Sequence, residues 1–253
     1  MPALAVGTSA PASLGGARAL AAPSLEELML MPGHWLAPAL RARLRAGFGS
    51  HGALGASTEA VLELSRALED RFWMADAGEA RPYAPAVDYP ESPLSRPLQT
   101  VAQALKAGLG LRVATVDYGG WDTHANQGAE FPELVSGLSR ALMAFWRDLG
   151  ALQQDVAVVV QSEFGRRLRS NASGGTDHGR AGAMMVLGPQ ARGGRLLGRW
   201  PGLGNGALEE GADLAVTTDH RDVLLEVLQG HMGLAEPEAA FPGLSPAPLG
   251  LYG

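Results

Sequence analysis

Cysteine is absent from all 253 residues, so disulfides, thiolate metal ligands and a cysteine nucleophile are excluded. No apolar segment approaches the roughly 20 residues that span a bilayer, and residues 1–22 lack the charged-then-apolar order of a secretion signal. A chain without a membrane span is expected. Basic residues are not in excess: 20 Lys and Arg stand against 26 Asp and Glu, a net charge of -6, with the arginines dispersed. A nucleic-acid partner is therefore not expected, because a protein that tracks phosphates carries a basic stripe. A small anionic substrate would need a local cationic cluster. Internal repeats are absent too, and no break in composition forces a second domain.

What is present is a 46% hydrophobic chain, long enough for one domain over 1–253 with a sizeable core. Its 34 glycines and 17 prolines fall between periodic apolar segments, which suits a loop-rich α/β protein. Residues 1–23 are small and punctuated by Pro and Gly, with Leu4–Val6 a short strand at most. Ser24 is placed to cap a short helix through Leu30. Helices are expected over 38–48 and 57–74, the second with Val61, Leu64, Leu68 and Phe72 on one face. Residues 81–93 read as an extended surface crossing. A helix from Ser95 with Leu98, Val101, Ala102 and Leu105 aligned leads into a strand over 111–116. A helix over about 131–149 then precedes a β-branched strand at 155–161, apolar on both faces and so expected to be parallel. Residues 184–187 resume an apolar strand, 193–198 suggest an edge strand, and Thr217 or Thr218 is placed to cap a last helix. Strand, helix, strand in this order predicts a right-handed crossover, with the polar ends after residues 116 and 161 at one sheet edge, where ligands of open α/β sheets bind.

The chemistry-bearing residues sit at those polar ends. Asp122 and His124 are two apart after two glycines, which places both on one side of an extended loop, a usable spacing for one cation. An Asx-turn with a satisfied histidine is the alternative. Glu163 follows the strand directly and is either a ligand or a cap. Asp177 and His178 are adjacent, so Asp177 is either a ligand or the group that orients an imidazole. Three carboxylates and two imidazoles without thiolate suit one or two divalent ions among zinc, manganese, iron and magnesium. Arg166 offers a bidentate fork for a substrate oxyanion, whereas Arg167 and Arg169 read as solvated charge. Ser162 and Thr176 are nearby hydroxyls with no partner that sequence certifies as a base. His34, His51 and His231 read as surface or packing residues, and His220 as part of a helix start.

The motifs GGWDTH at 119–124, SEFGRR at 162–167, GTDHG at 175–179, RWPGL at 199–203 and TTDHRDVL at 217–224 together resemble the DUF1501 proteins. The resemblance implies a place near the alkaline phosphatase and sulfatase superfamily, hence a three-layer αβα fold with a mostly parallel sheet. It implies a metal-dependent hydrolase-like domain that acts on phosphate or sulfate esters if completed by the family's N-terminal region, with Asp122, His124, Glu163, Asp177 and His178 resembling metal ligands. The alternative is a module that binds metal or ligand without turnover. The resemblance also implies an exported, periplasmic protein, often of the twin-arginine route, whereas the chain as written would be cytoplasmic if complete. The family's early Gly-Gly-x-Asp-Gly and Ser-His-Phe-Asp segments have no counterpart before residue 119. The chain is thus expected to resemble the C-terminal part of the family, as a fragment, a truncated reading frame or a degenerate copy.

Overall fold

A computed structural model describes residues 1–49 and 52–252, so His51 lies outside the described residues. The chain divides into two units, residues 1–119 with 137–149 and residues 120–136 with 150–253. In the first, β1 (Ala3–Val6), β2 (Ala19–Ala21), α1 (Ala37–Phe48), α2 (Gly52–Phe72), β3 (Trp73–Met74), β4 (Glu79–Ala80), α3 (Ser95–Lys106) and β5 (Val113–Val116) follow in order. Helix α4 (Gln127–Leu149) gives its start to the second unit and its remainder to the first. In the second unit come β6 (Val158–Val160), β7 (Gly165–Arg166), β8 (His178–Gly179), β9 (Met185–Leu187), α5 (His220–Gly230) and α6 (Pro237–Ala240). The protein is thus mixed α/β. No described helix is long and apolar enough to cross a membrane.

The short strand near the N-terminus proves to be the centre of a sheet. Strand β1 lies between β2 and β5 in an all-parallel order β2-β1-β5, with Leu4 opposite both Leu20 and Ala114. Leu4 is fully buried among Leu25, Met29, Leu68, Ala104 and Leu109, and such burial stabilises by roughly 2 kcal/mol. The crossover expected from the strand at 111–116 through the helix at 131–149 to the strand at 155–161 does not form, because β5 pairs with β1 whereas Val158–Val160 pairs in a separate sheet with Met185–Leu187. Helix α3, which leads into β5, buries Leu98, Val101, Ala102 and Ala104. On α2 the buried stripe is Leu62, Ser65 and Leu68, while Val61 is exposed. Ser65 can lie inside because its Oγ accepts a 2.7 Å bond from the Leu30 amide. The helix expected from Ser24 is only a single 3-10 turn at Glu26–Leu28.

Residues 81–93 do more than cross a surface. They close around Asp148, whose side chain has no solvent exposure. Its Oδ1 accepts from Lys106 Nζ at 2.6 Å and from the Ala86 amide at 2.6 Å, and its Oδ2 from the hydroxyls of Tyr83 at 2.6 Å and Tyr89 at 3.0 Å. Burial alone would raise the Asp148 pKa. The bonds from Lys106, Tyr83, Ala86 and Tyr89 outweigh it and hold the carboxyl below its ordinary value. Burial, reinforced by the carboxylate, pushes both tyrosine hydroxyls up.

In the second unit the apolar run after Asp155 is not a parallel strand. Strand β6 pairs antiparallel with β9, Val158 opposite Leu187, and β7 pairs antiparallel with β8. The physical reason is the connection. No helix lies between β6 and β9, and a chain that returns without a crossover runs antiparallel. Residues 193–198 form no strand. Helix α5 is capped by Asp219, whose Oδ1 accepts from the Arg221 amide at 2.9 Å, while Thr217 bonds the Arg199 carbonyl instead. Hydrogen bonds from Arg221, led by its side chain, hold the Asp219 pKa at about 2. The irregular tail docks on α5: the amides of Ala247 and Leu251 donate to Asp222 at 2.9 Å and to Glu226 at 2.6 Å.

Candidate metal centre

Two loops build the centre by lying against each other, backbone on backbone. Ala125 bridges Gly174, the Gln127 amide donates to the Gly174 carbonyl at 3.1 Å, and Asn171 Nδ2 donates to the His124 carbonyl at 2.9 Å. The approach demands glycine: a Cβ at residue 175 would fall 2.2 Å from the His124 carbonyl carbon. Likewise a Cβ at residue 179 would fall 2.5 Å from that of Arg166, which is how β8 packs on β7. Gly175→Ala is therefore expected to cost about 1–3 kcal/mol, read as a lowered urea midpoint, because only backbone can give way there.

Across this seam three side chains converge. Asp122 Oδ1 lies 2.8 Å from His178 Nε2, 3.0 Å from His124 Nε2 and 3.0 Å from an Arg166 terminal nitrogen. One ligand atom from each of Asp122, His124 and His178 lies within 4.8 Å of the others, and this is the one such group among the described residues. The bond from His178, then the charges of His124, His178 and Arg166, hold the Asp122 carboxyl below its ordinary pKa. All three side chains are about half exposed, at 58%, 47% and 49%.

The surrounding groups fix these three in place. Asp177 Oδ1 accepts from Asn171 Nδ2 at 3.2 Å and lies 3.3 Å from His124 Nδ1. Those two contacts, Asn171 first, hold Asp177 below its ordinary pKa. Phe164 stacks on the His178 ring at 3.9 Å and 13°. Arg166 donates to the carbonyls of Thr176 and Trp121, both at 2.7 Å, as well as to Asp122, and its guanidinium lies 5.1 Å from the Phe164 ring centre. It fastens both loops and Asp122 to one another.

Of the residues singled out by sequence, Asp122, His124 and His178 come together, with Asp177 behind His124 as an orienting carboxylate. Glu163 is exposed and outside the group of converging ligand atoms. Arg167 lies 3.5 Å from Asp213, and Arg169 donates to Asn205 at 2.6 Å and to the Gly211 carbonyl at 3.3 Å. Thr176 is buried and its Oγ1 accepts from Gln127. His220 is exposed beside Asp219 at 3.7 Å. His34 Nδ1 accepts from the Leu36 amide in a local turn. Sequence reasoning missed Phe164 and Asn171. Asn171 carried a signal, since an asparagine ahead of a Gly-rich loop caps its own turn, and its Oδ1 accepts from the amides of Ser173 and Gly175. Phe164 carried none.

A family model described as a protein of unknown function, DUF1501, matches residues 53–241. The chain belongs to the DUF1501 family. No curated protein matches it, and neither does any solved structure. The DUF1501 match contains every residue of the centre, runs from the second residue of α2 through α6, and stops before the tail residues that dock on α5.

The donor set fits a transition-metal ion or zinc. Two imidazoles and one carboxylate form a donor set of the kind that zinc and iron sites use when they keep open positions. The contact between His124 Nδ1 and Asp177 matches the usual outer carboxylate behind a ligating histidine.

Proposed function

We propose that Asp122, His124 and His178 hold one divalent cation and that this DUF1501 chain acts as a metal-dependent hydrolase-like domain on small phosphate or sulfate esters. The observation that carries the reading is the meeting of two imidazole Nε2 atoms on one carboxylate oxygen, with the open side of all three facing solvent. Zinc, manganese and iron suit that set better than magnesium, which prefers oxygen. When bound, the ion supplies positive charge to oxygens that gain negative charge during ester cleavage.

The chain's own residues supply position. Asp177 holds the His124 ring through Nδ1 and leaves Nε2 forward. Phe164 holds the plane of the His178 ring, and Arg166 holds Asp122 and both loop carbonyls. For the attacking group we assign solvent water. Thr176 Oγ1 is already committed to Gln127, and the half-exposed face admits water freely. The same exposure favours a second reading, a module that binds metal or ligand without turnover, because an open face does little to strengthen electrostatics at a reacting centre.

Hydrolysis of p-nitrophenyl phosphate and p-nitrophenyl sulfate with zinc, manganese, iron or magnesium separates the two. Turnover abolished by a chelator and by His178→Ala is the expected result. No turnover from chain that demonstrably binds metal selects the binding module.

A further inference from the structure

Beside the triad is a cleft of about 260 Å³ lined by Arg167, Arg169, Ser170, Asn171, Asp177 and Ala212. It adjoins the centre through two shared side chains. Asp177 has Oδ1 turned to His124, and Asn171 donates both to Asp177 and to the His124 carbonyl. We infer that this cleft seats the anionic group of the substrate, with Arg167 and Arg169 as its cationic contacts, and that it selects a dianionic phosphate monoester over a monoanionic sulfate ester. The inference rests on the triad holding a divalent ion.

The charges carry the argument. Arg169 is held by neutral partners, the Asn205 amide oxygen and the Gly211 carbonyl, so nothing it touches cancels its charge. Arg167 faces Asp213 at 3.5 Å, longer than a good hydrogen bond, and its side chain is 52% exposed. The Asp213 Oδ1 is buried with no hydrogen-bond partner, so the guanidinium stays paired by charge but keeps donors for another oxygen. The one acidic wall of the cleft, Asp177, already accepts from Asn171 and contacts His124.

Among the groups of the triad, the cleft and their direct ion-pair partners, Arg166, Arg167 and Arg169 balance Asp122, Asp177 and Asp213. A divalent ion at the triad would leave a surplus of two positive charges. A phosphate monoester carries close to two negative charges above its second pKa of about 6, whereas a sulfate monoester carries one. The guanidinium fork also matches tetrahedral oxyanions in a bidentate way. Arg166, whose donors go to two carbonyls and to Asp122, acts here as a positioning residue.

The test uses two probes of one shape that cannot be hydrolysed, phenylphosphonate and benzenesulfonate, titrated calorimetrically into the full chain at mildly alkaline pH with and without zinc. Phenylphosphonate should bind roughly tenfold more tightly with zinc than without it, and roughly tenfold more tightly than benzenesulfonate. Arg169→Gln should cost about tenfold in phenylphosphonate affinity and leave zinc affinity unchanged. Arg167→Gln, at a more exposed position, should cost about threefold. It also serves if loss of the Asn205 contact unfolds the first variant. Zinc binding with phenylphosphonate affinity indifferent to both arginines, or equal to that of benzenesulfonate, overturns the cleft and leaves the triad. Arginine-dependent phenylphosphonate binding without zinc binding overturns the triad and supports the cleft. Absence of both overturns both.

Discussion

Asp122→Ala and His178→Ala are each expected to weaken affinity for zinc or manganese by more than about hundredfold, measured by competition with a chromophoric chelator. The magnitude follows from position. Loss of an outer partner of a metal-ligating histidine costs about 10- to 100-fold, and a direct ligand exceeds that. Asp122 is the meeting point of His178 at 2.8 Å and His124 at 3.0 Å, so removing it takes one donor and frees two imidazoles. Asp177→Asn, which weakens the contact behind His124, should fall in the lower range of about 10- to 100-fold. Glu163→Gln should leave affinity unchanged, since Glu163 is outside the converging group. An effect of Glu163 equal to that of Asp122 would move the centre toward the end of β6.

The largest effect on stability is expected at Asp148. Asp148→Ala strips a fully buried carboxylate from Lys106, the Ala86 amide, Tyr83 and Tyr89, and should lower the free energy of unfolding by about 3–5 kcal/mol in a urea titration at neutral pH. The cost exceeds that of an exposed ion pair because four donors are left behind, not because the pair itself stabilises strongly. The sign of the pH dependence follows from the depressed carboxyl pKa. The contribution is fully present above the pKa of the unfolded aspartate, near 4, and is lost as pH falls through the lower folded value. Wild-type stability should therefore fall in acid more steeply than that of Asp148→Ala. Parallel acid profiles would remove Asp148 as the group responsible.

Much of this was legible in the chain, and the rest was hidden for identifiable reasons. Asp122, His124 and His178 could be picked out because their types and glycine-rich settings carry chemistry whatever the fold. How they meet could not be read. The expectation was a shared sheet edge, whereas they meet through a loop seam, with Gly175 against the His124 backbone, and glycine spacing alone does not say what a glycine approaches. The strand after Asp155 looked parallel because a β-branched run cannot reveal its partner, and β9 is antiparallel to it. Strand β1 reads as incidental because a run of only four residues carries little periodicity, yet pairing on both sides makes it central. Asp148 sat in an amphipathic helix as an ordinary acidic residue. Its role required knowing that Tyr83, Tyr89 and Lys106, between 42 and 65 residues away, come to it. Arg166 looked like a substrate contact because a guanidinium near a strand end suits an anion, and its two carbonyl partners are features of the folded backbone alone.

The claim on which the functional account depends is that two imidazoles and a carboxylate hold one ion. X-ray absorption spectroscopy of the zinc-loaded chain tests it most directly, because it counts the ligands by type. The account predicts two imidazole ligands in the wild-type chain and one in His178→Ala, with the remaining scatterers oxygen. A zinc environment of oxygen alone, or an imidazole count unchanged by His178→Ala, would contradict it.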